Sequence, residues 1–339
     1  MSITASKGKQ HTKRYVNTEV YVALSSQMAQ DIPSLPMGEI VKYLSPGHKM
    51  RPAIAGRGWN DDFHQYAPHE TAIVCSTEGE LYRSMRHPTI SRISAVPLWF
   101  TVTSIVINWL PYNQDIITLG NCVGLKEIEL KHCEDITDIA ALGNCSGLKK
   151  LYLGDCEKIT DISALGNCVG LKELKLCDCD GITSITVLDK CVGLEKLNLY
   201  GCKEITDIST LGEFVDLEIL DLSYCDKITN ISALGNCEGL KKLNLFFCDQ
   251  ITYITSLGKC VGLEFLGLEG VQITDITALG KCVCLKELDL SYCVEIADIS
   301  ALGKCAGLKI LDLYGCYKIT DISALGKCAG LKILNFGIF

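Results

Sequence analysis

An α/β solenoid of parallel strands, preceded by a small α-helical N-terminal domain, is the fold class this sequence predicts. Two observations predict the solenoid. One phrase recurs along the last two thirds of the chain, with leading leucines at Leu125, Leu148, Leu171, Leu194, Leu217, Leu240, Leu263, Leu285, Leu308 and Leu331. Every step is 23 residues except the 22 between Leu263 and Leu285. Within each copy, L-x-L alternates with period two, the signature of a short strand with one buried face. A third observation predicts the helical domain: residues 32–59, "IPSLPMGEIVKYLSPGHKMRPAIAGRGW", are half apolar and recur nowhere.

The full phrase is L-x-x-L-x-L-x-x-C-x-x-I-T-D-I-x-x-L-x-x-C-x-G. It resembles the leucine-rich repeat in its cysteine-containing style. That resemblance implies parallel strands lining a concave face, with short 3-10 or helical turns on the convex face. Strands stacked about 4.8 Å apart bury the leucines of successive coils against one another. Thr-Asp ahead of I-x-x-L reads as the cap of one outer turn. A weaker copy, carried by Val102, Ile105, Ile107, Asp115, Ile116, Leu119 and Cys122, precedes the others in the same frame. The repeat domain is therefore 102–339, a capping repeat followed by ten repeats, the last truncated inside "LKILNFGIF". A strand at that end exposes an edge able to pair with another chain.

The 20 cysteines invite disulfide or zinc readings. Most recur at two fixed places in the phrase, about 11 and 12 residues apart, as core positions do. Zinc sites want close pairs that converge, and Cys177 and Cys179 are the only such pair inside one strand. Phe214 and Val271 replace the regular cysteine in two copies, and apolar replacements mark buried sites. The thiols are thus read as reduced core groups. With no secretory h-region at the N-terminus, the chain is expected in the cytoplasm or nucleus. No metal and no cofactor are expected.

Positions four, six and seven after each leading leucine face the concave side. There Tyr200, Tyr224, Phe246 and Phe247 form an aromatic cluster over three strands, and Tyr292 with Tyr314 a second. Asp221, Asp289 and Asp312 occupy one equivalent position as an acidic row, and Tyr152 lies nearer the N-terminal end. Exposed aromatics ringed by charge are the chemistry of protein hot spots. The same tyrosines also suit a strand surface by packing on their neighbours. These ten residues are the candidate partner-binding set.

The block at 32–59 resembles the F-box. Ile32 and Pro33 fall on its opening Leu-Pro, Ile40 on the mid-helix apolar position, Leu44 and Pro46 on the closing pair, Ala55 on the usual Val and Trp59 on the Trp. Pro36, Gly56, Gly58 and above all Pro52, which falls where the second helix should run, depart from the pattern. Proline inside a helix costs about 3 kcal/mol. A generic helical cap for the open end of the solenoid is the competing reading. On this reading the chain divides into a disordered or extended tail (1–28), an F-box-like helical domain (29–75), a linker or cap (76–101) and the repeats.

An F-box ahead of cysteine-type repeats is similar to the F-box/leucine-rich-repeat family. The resemblance implies that Ile32, Pro33, Ile40, Leu44 and Pro46 dock a Skp-type adaptor and, through it, a cullin-RING ubiquitin ligase. The repeats would then hold a protein substrate. The alternative is an interaction scaffold with no ubiquitin role.

Charge narrows the partners. Residues 1–101 carry 11 Lys+Arg against 8 Asp+Glu, whereas the remainder carries 21 against 32. An acidic array disfavours nucleic-acid phosphates as ligand, and no apolar run reaches the roughly 18–20 residues of a membrane span. No enzyme motif of the G-x-S-x-G, P-loop or H-E-x-x-H kind occurs, so the chain reads as non-catalytic.

Overall fold

The computed structural model describes residues 18–24, 51–52, 71–77, 102–107, 116–117, 119–120, 124–131 and 133–337. Its strands are β1 (Thr18–Leu24), β2 (Arg51–Pro52), β3 (Thr71–Thr77), β4 (Val102–Ile107), β5 (Glu127–Lys131), β6 (Lys150–Gly154) and β7 (Glu173–Cys177). Seven shorter strands follow: β8 (Lys196–Asn198), β9 (Ile219–Asp221), β10 (Lys242–Asn244), β11 (Phe265–Gly267), β12 (Glu287–Asp289), β13 (Ile310–Asp312) and β14 (Ile333–Asn335). All lie in one sheet, in chain order from β4 to β14, with β1, β3 and β2 beyond β4.

The solenoid is as the repeat predicts. Pairing from β4 to β14 is parallel and in register, Leu220 opposite Leu243 and Leu243 opposite Leu266. The leucines, isoleucines and regular cysteines of successive coils form one core, most of them fully buried. Phe214 and Val271 are buried where they replace cysteine. β4 begins at Val102, so the weak first copy is a true coil whose Ile105 sits opposite Ile128.

The outer turns are 3-10 helices such as Ala140–Asn144 and Ser163–Asn167. The aspartate of the phrase initiates most of them, from a position before the N-cap, with Ser184 and Asn230 standing in for it in two coils. Asp161 Oδ1 accepts the backbone N–H of Ser163 at 2.7 Å, and Asp207, Asp275, Asp298 and Asp321 repeat the bond. That N–H holds the Asp161 carboxyl below its ordinary range. One short coil breaks the rhythm. Between Val271 and Ile273 it lacks a residue of the turn that other coils place after the strand.

The N-terminal region differs from expectation where it is described. A helical domain was expected over 29–75, yet Arg51–Pro52 and Thr71–Thr77 are strands, with Pro52 opposite Ile73. Proline donates no N–H and is poor inside a helix but tolerable on a two-residue edge strand. Within the expected tail, Thr18–Leu24 is also a strand, antiparallel to both β3 and β4. The adaptor-contact residues Ile32, Pro33, Ile40, Leu44 and Pro46 lie outside the described residues.

Candidate functional site

One side-chain choice reorganises the concave face halfway along the array. Up to β7, the fourth position after the leading leucine is Glu129, Tyr152 or Lys175, and the strands run five residues. From β8 onward it is Asn, Asp or Gly, and they run three. Asn198, Asp221, Asp289 and Asp312 each turn Oδ1 back onto the N–H two residues on, at 2.8–2.9 Å. At these four positions the local bond competes with the ladder; β10 and β11, with Asn244 and Gly267 there, are as short without it.

The backbone accounting then shifts to sulfur. In the longer strands the ladder continues, with Leu153 opposite Leu176 and Gly154 opposite Cys177. Cys179 reaches the Leu153 carbonyl only at 3.8 Å. In the shorter strands the thiol takes over the equivalent carbonyl of the preceding coil. Cys202 donates to Leu176 O at 2.9 Å, Cys225 to Leu199 O at 3.2 Å and Cys316 to Leu290 O at 3.0 Å. A second row, including Cys237 to Leu211 O and Cys260 to Leu234 O, lines the outer turns. Burial pushes the Cys237, Cys248 and Cys282 thiols up to about 12. Cysteine is a core group, as its spacing implies, and these bonds are what its thiol does there. Among the described residues no group of His, Cys, Asp and Glu is arranged to hold a metal.

The seventh position is a column of left-handed residues: Asp155, Asp178, Gly201, Tyr224, Phe247, Gly270, Tyr292 and Gly315. Aromatic residues rarely adopt positive φ. Here each leans along the array onto its neighbour. Tyr224 stacks on Phe247 with centroids 5.0 Å apart at 27°, and Tyr200 meets Tyr224 edge-on at 5.2 Å. Phe247 lies over Gly270 and Tyr292 over Gly315, so a Cβ at either glycine would sit 2.9 Å or less from a ring carbon. Tyr292 in turn packs edge-on against Tyr314 at 5.3 Å.

These placements sort the candidate residues. Tyr200, Tyr224 and Tyr292 are exposed on the face, and Phe246, Phe247 and Tyr314 are half-buried beside them. The ring contacts join Tyr200, Tyr224 and Phe247 in one group and Tyr292 with Tyr314 in a second, while the Phe246 ring lies over Gly267. At the position of the expected acidic row, Asp289 and Asp312 are neighbours and Asp221 stands apart beyond Asn244 and Gly267, and one oxygen of each is committed to the backbone. Tyr152 is engaged within the face, under the Lys175 ammonium at 4.3 Å and hydrogen-bonded to Glu173. Burial, ahead of that bond, pushes its hydroxyl pKa up.

The sequence reading missed the second position of each coil. Ile219, Phe265 and Ile310 lie half-buried there, beside Lys242 and Glu287. Period two was the available signal, because residues two apart share a face. The half of the face at β5 to β8 is ion-paired within itself, Lys131 with Glu129 at 2.6 Å, Lys150 with Glu127 and Lys196 with Glu173.

The comparisons agree with this geometry. Residues 285–327 match the family model described as leucine-rich repeats, two copies. No curated protein matches the chain. Among solved structures, an internalin (inlF) from Listeria monocytogenes is similar at 28% identity and TM-score 0.64, covering 73% of each chain. An internalin C2 from the same organism shares 24% identity at TM-score 0.41, over 59% of this chain and 76% of that one. A Leptospira interrogans LRR protein shares 18% at TM-score 0.45, over 65% of this chain and 68% of that one. The chain carries leucine-rich repeats: the matched residues are two of them, and the other coils share their core and the fold of the first of these structures.

Proposed function

We propose that this protein is an interaction scaffold that holds a protein partner on the concave face of its repeats. The observation that carries the reading is the row Tyr200–Tyr224–Phe247. Three aromatic rings stand side by side on an open sheet face, two of them at positive φ. Such backbone strain costs of order 1–3 kcal/mol and persists where surrounding structure or function holds it. Rigid aromatics at the centre of a wide surface supply contact area at little entropy cost.

A site-specific photo-crosslinker tests it. Placed at Tyr224, it should give one discrete adduct that excess unlabelled protein competes away. Placed at Lys190 on the outer curve, it should give none. Equal labelling from both faces, or none from either, overturns the reading.

A narrower role as substrate receptor of an SCF-type ubiquitin ligase rests on the spacing of Ile32, Pro33, Ile40, Leu44 and Pro46. It takes second place because Arg51 and Pro52, expected in a second helix, pair with Val74 and Ile73. Its test is capture of a purified Skp-type adaptor by the full chain, abolished in Ile40→Asp/Leu44→Asp. In either role the chain acts by holding its partner, without covalent chemistry of its own. A reducing compartment, cytoplasm or nucleus, suits thiols that donate hydrogen bonds to backbone carbonyls.

A further inference from the structure

The two halves of the concave face handle charge differently. From β5 to β8 four lysines, Lys131, Lys150, Lys175 and Lys196, stand among the carboxylates, and ion pairs join them within a strand, as in Lys175–Glu173, and across strands, as in Lys150–Glu127 and Lys196–Glu173. From β9 to β13 the face carries Asp221, Glu269, Glu287, Asp289 and Asp312 against the single Lys242. Among the described residues no ion pair joins any of those five carboxylates to a lysine; Asp289 Oδ1 accepts the Ser291 N–H and hydroxyl, and Asp312 accepts the Tyr314 N–H at Oδ1 and the Asn335 side-chain amide at Oδ2, all of them neutral donors. Asp289 stands opposite Asp312 in the ladder. Burial, and then the nearby Asp289 and Asp312, push Glu269 above its ordinary carboxylate range. Uncompensated like charges held together this way are destabilising unless a cation arrives.

Apolar groups are interleaved with that charge. Phe265 and Ile310 share the surface with the Tyr292–Tyr314 pair. A cationic side chain on an aromatic face within reach of carboxylates gains both cation–π and ionic attraction. In the β5–β8 half the ring of Tyr152 is already covered, by the ammonium of Lys175.

We infer that the β9–β13 half of the concave face docks a basic segment of a protein partner, with arginine or lysine side chains reaching Glu269, Asp289 and Asp312 while apolar side chains rest on the Tyr292–Tyr314 pair. This rests on the scaffold reading above and names the chemistry of its partner. Arginine fits best, because its planar guanidinium both stacks on tyrosine and forks to a carboxylate.

The test uses the full chain and a fluorescein-labelled peptide alternating arginine and leucine, with a glutamate–leucine peptide as comparison. Binding by fluorescence anisotropy should saturate for the first peptide alone and weaken as salt is raised. The neutral variant Glu269→Gln/Asp289→Asn/Asp312→Asn should bind at least about tenfold more weakly, each close charge pair contributing on the order of a kilocalorie or more. Folding should survive, because Asn198 fills the same position in this chain and makes the same backbone bond. Glu127→Gln/Glu173→Gln, on the self-paired half, should leave affinity unchanged.

Equal affinity of the neutral variant, equal binding of the acidic peptide, or no binding of the basic one overturns the inference. The crosslinker at Tyr224 reports separately. An adduct there without basic-peptide binding leaves a scaffold for a partner of other chemistry.

Discussion

Phe247 stacks on Tyr224 although both residues hold left-handed backbones, at φ +54° and +59°. In the column they stand in, Tyr224 is followed by a ring that stacks on it, and the other two aromatics are each followed by a glycine. Gly270 follows Phe247 and Gly315 follows Tyr292, each beneath the preceding ring. The aromatic row is thus a property of neighbouring coils and of no single repeat.

Gly270→Ala should therefore destabilise the protein by about 1–3 kcal/mol, through positive φ and a Cβ 2.7 Å from the Phe247 ring. In a Phe247→Gly background the ring contact is gone and the cost should fall by about 1 kcal/mol. Urea unfolding of the four proteins measures the cycle. Additive costs would show that the ring places no demand on the glycine.

Asp221→Asn should be close to neutral for stability, since either side chain offers Oδ1 to the Ser223 N–H. Asp221→Ala removes the acceptor and should cost about 1 kcal/mol. Hydrogen exchange at the Ser223 amide should quicken several-fold in the alanine variant and stay slow in the asparagine one.

The buried thiols set an alkaline limit. Cys202, Cys237, Cys248 and Cys282 are each pushed up to about 12, against an ordinary 9.0, chiefly by burial. A thiol is neutral when protonated, so below pH about 9 folded and unfolded chains carry the same protons and these groups cost nothing. Between about 9 and 12 the unfolded chain releases protons that the folded chain retains, and stability should fall steadily with rising pH. Urea midpoints measured from neutral to alkaline pH should be flat and then decline, with the slope adding over several thiols. A flat profile to pH about 11 would falsify this. At neutral pH, exposed Cys284 should label with iodoacetamide well before any ladder cysteine.

Core position alone does not fix the cost of a truncation. Leu243→Ala, at a fully buried site between two coils, should cost about 2–5 kcal/mol. Leu334→Ala removes the equivalent residue of β14, but there the leucine is 40% exposed and the loss should stay under about 1 kcal/mol. Comparable losses at both sites would mean that β14 is covered in solution.

Repetition made the array legible. Leu243 and Leu266 recur at one place in the phrase, and period-two alternation allows them only one face. The Tyr224 and Phe246–Phe247 cluster followed from the same frame. The second-position row, Ile219, Phe265 and Ile310, lies outside the L-x-L alternation, and only the shared face of residues two apart ties it to the fourth position. The helix expected around Pro52 was a reading of local motif, and a motif says nothing of which distant strand is free to pair with it. Thr18–Leu24 and Thr71–Thr77 meet across some fifty intervening residues, a relation no local pattern encodes.

The sequence by itself determined the coil: its length, its buried leucines, its outer turn begun in most copies by aspartate, and cysteine as a core residue. Each of these is a local demand that recurs from copy to copy. Tertiary structure alone decided what passes between coils. Thiols take the carbonyls that Asn and Asp have freed, aromatic rings lie over the next coil's glycine, and charge is cancelled on one half of the face and left open on the other. Those outcomes depend on which residue stands 23 positions away across a strand gap of about 4.8 Å, a distance that the chain itself does not record.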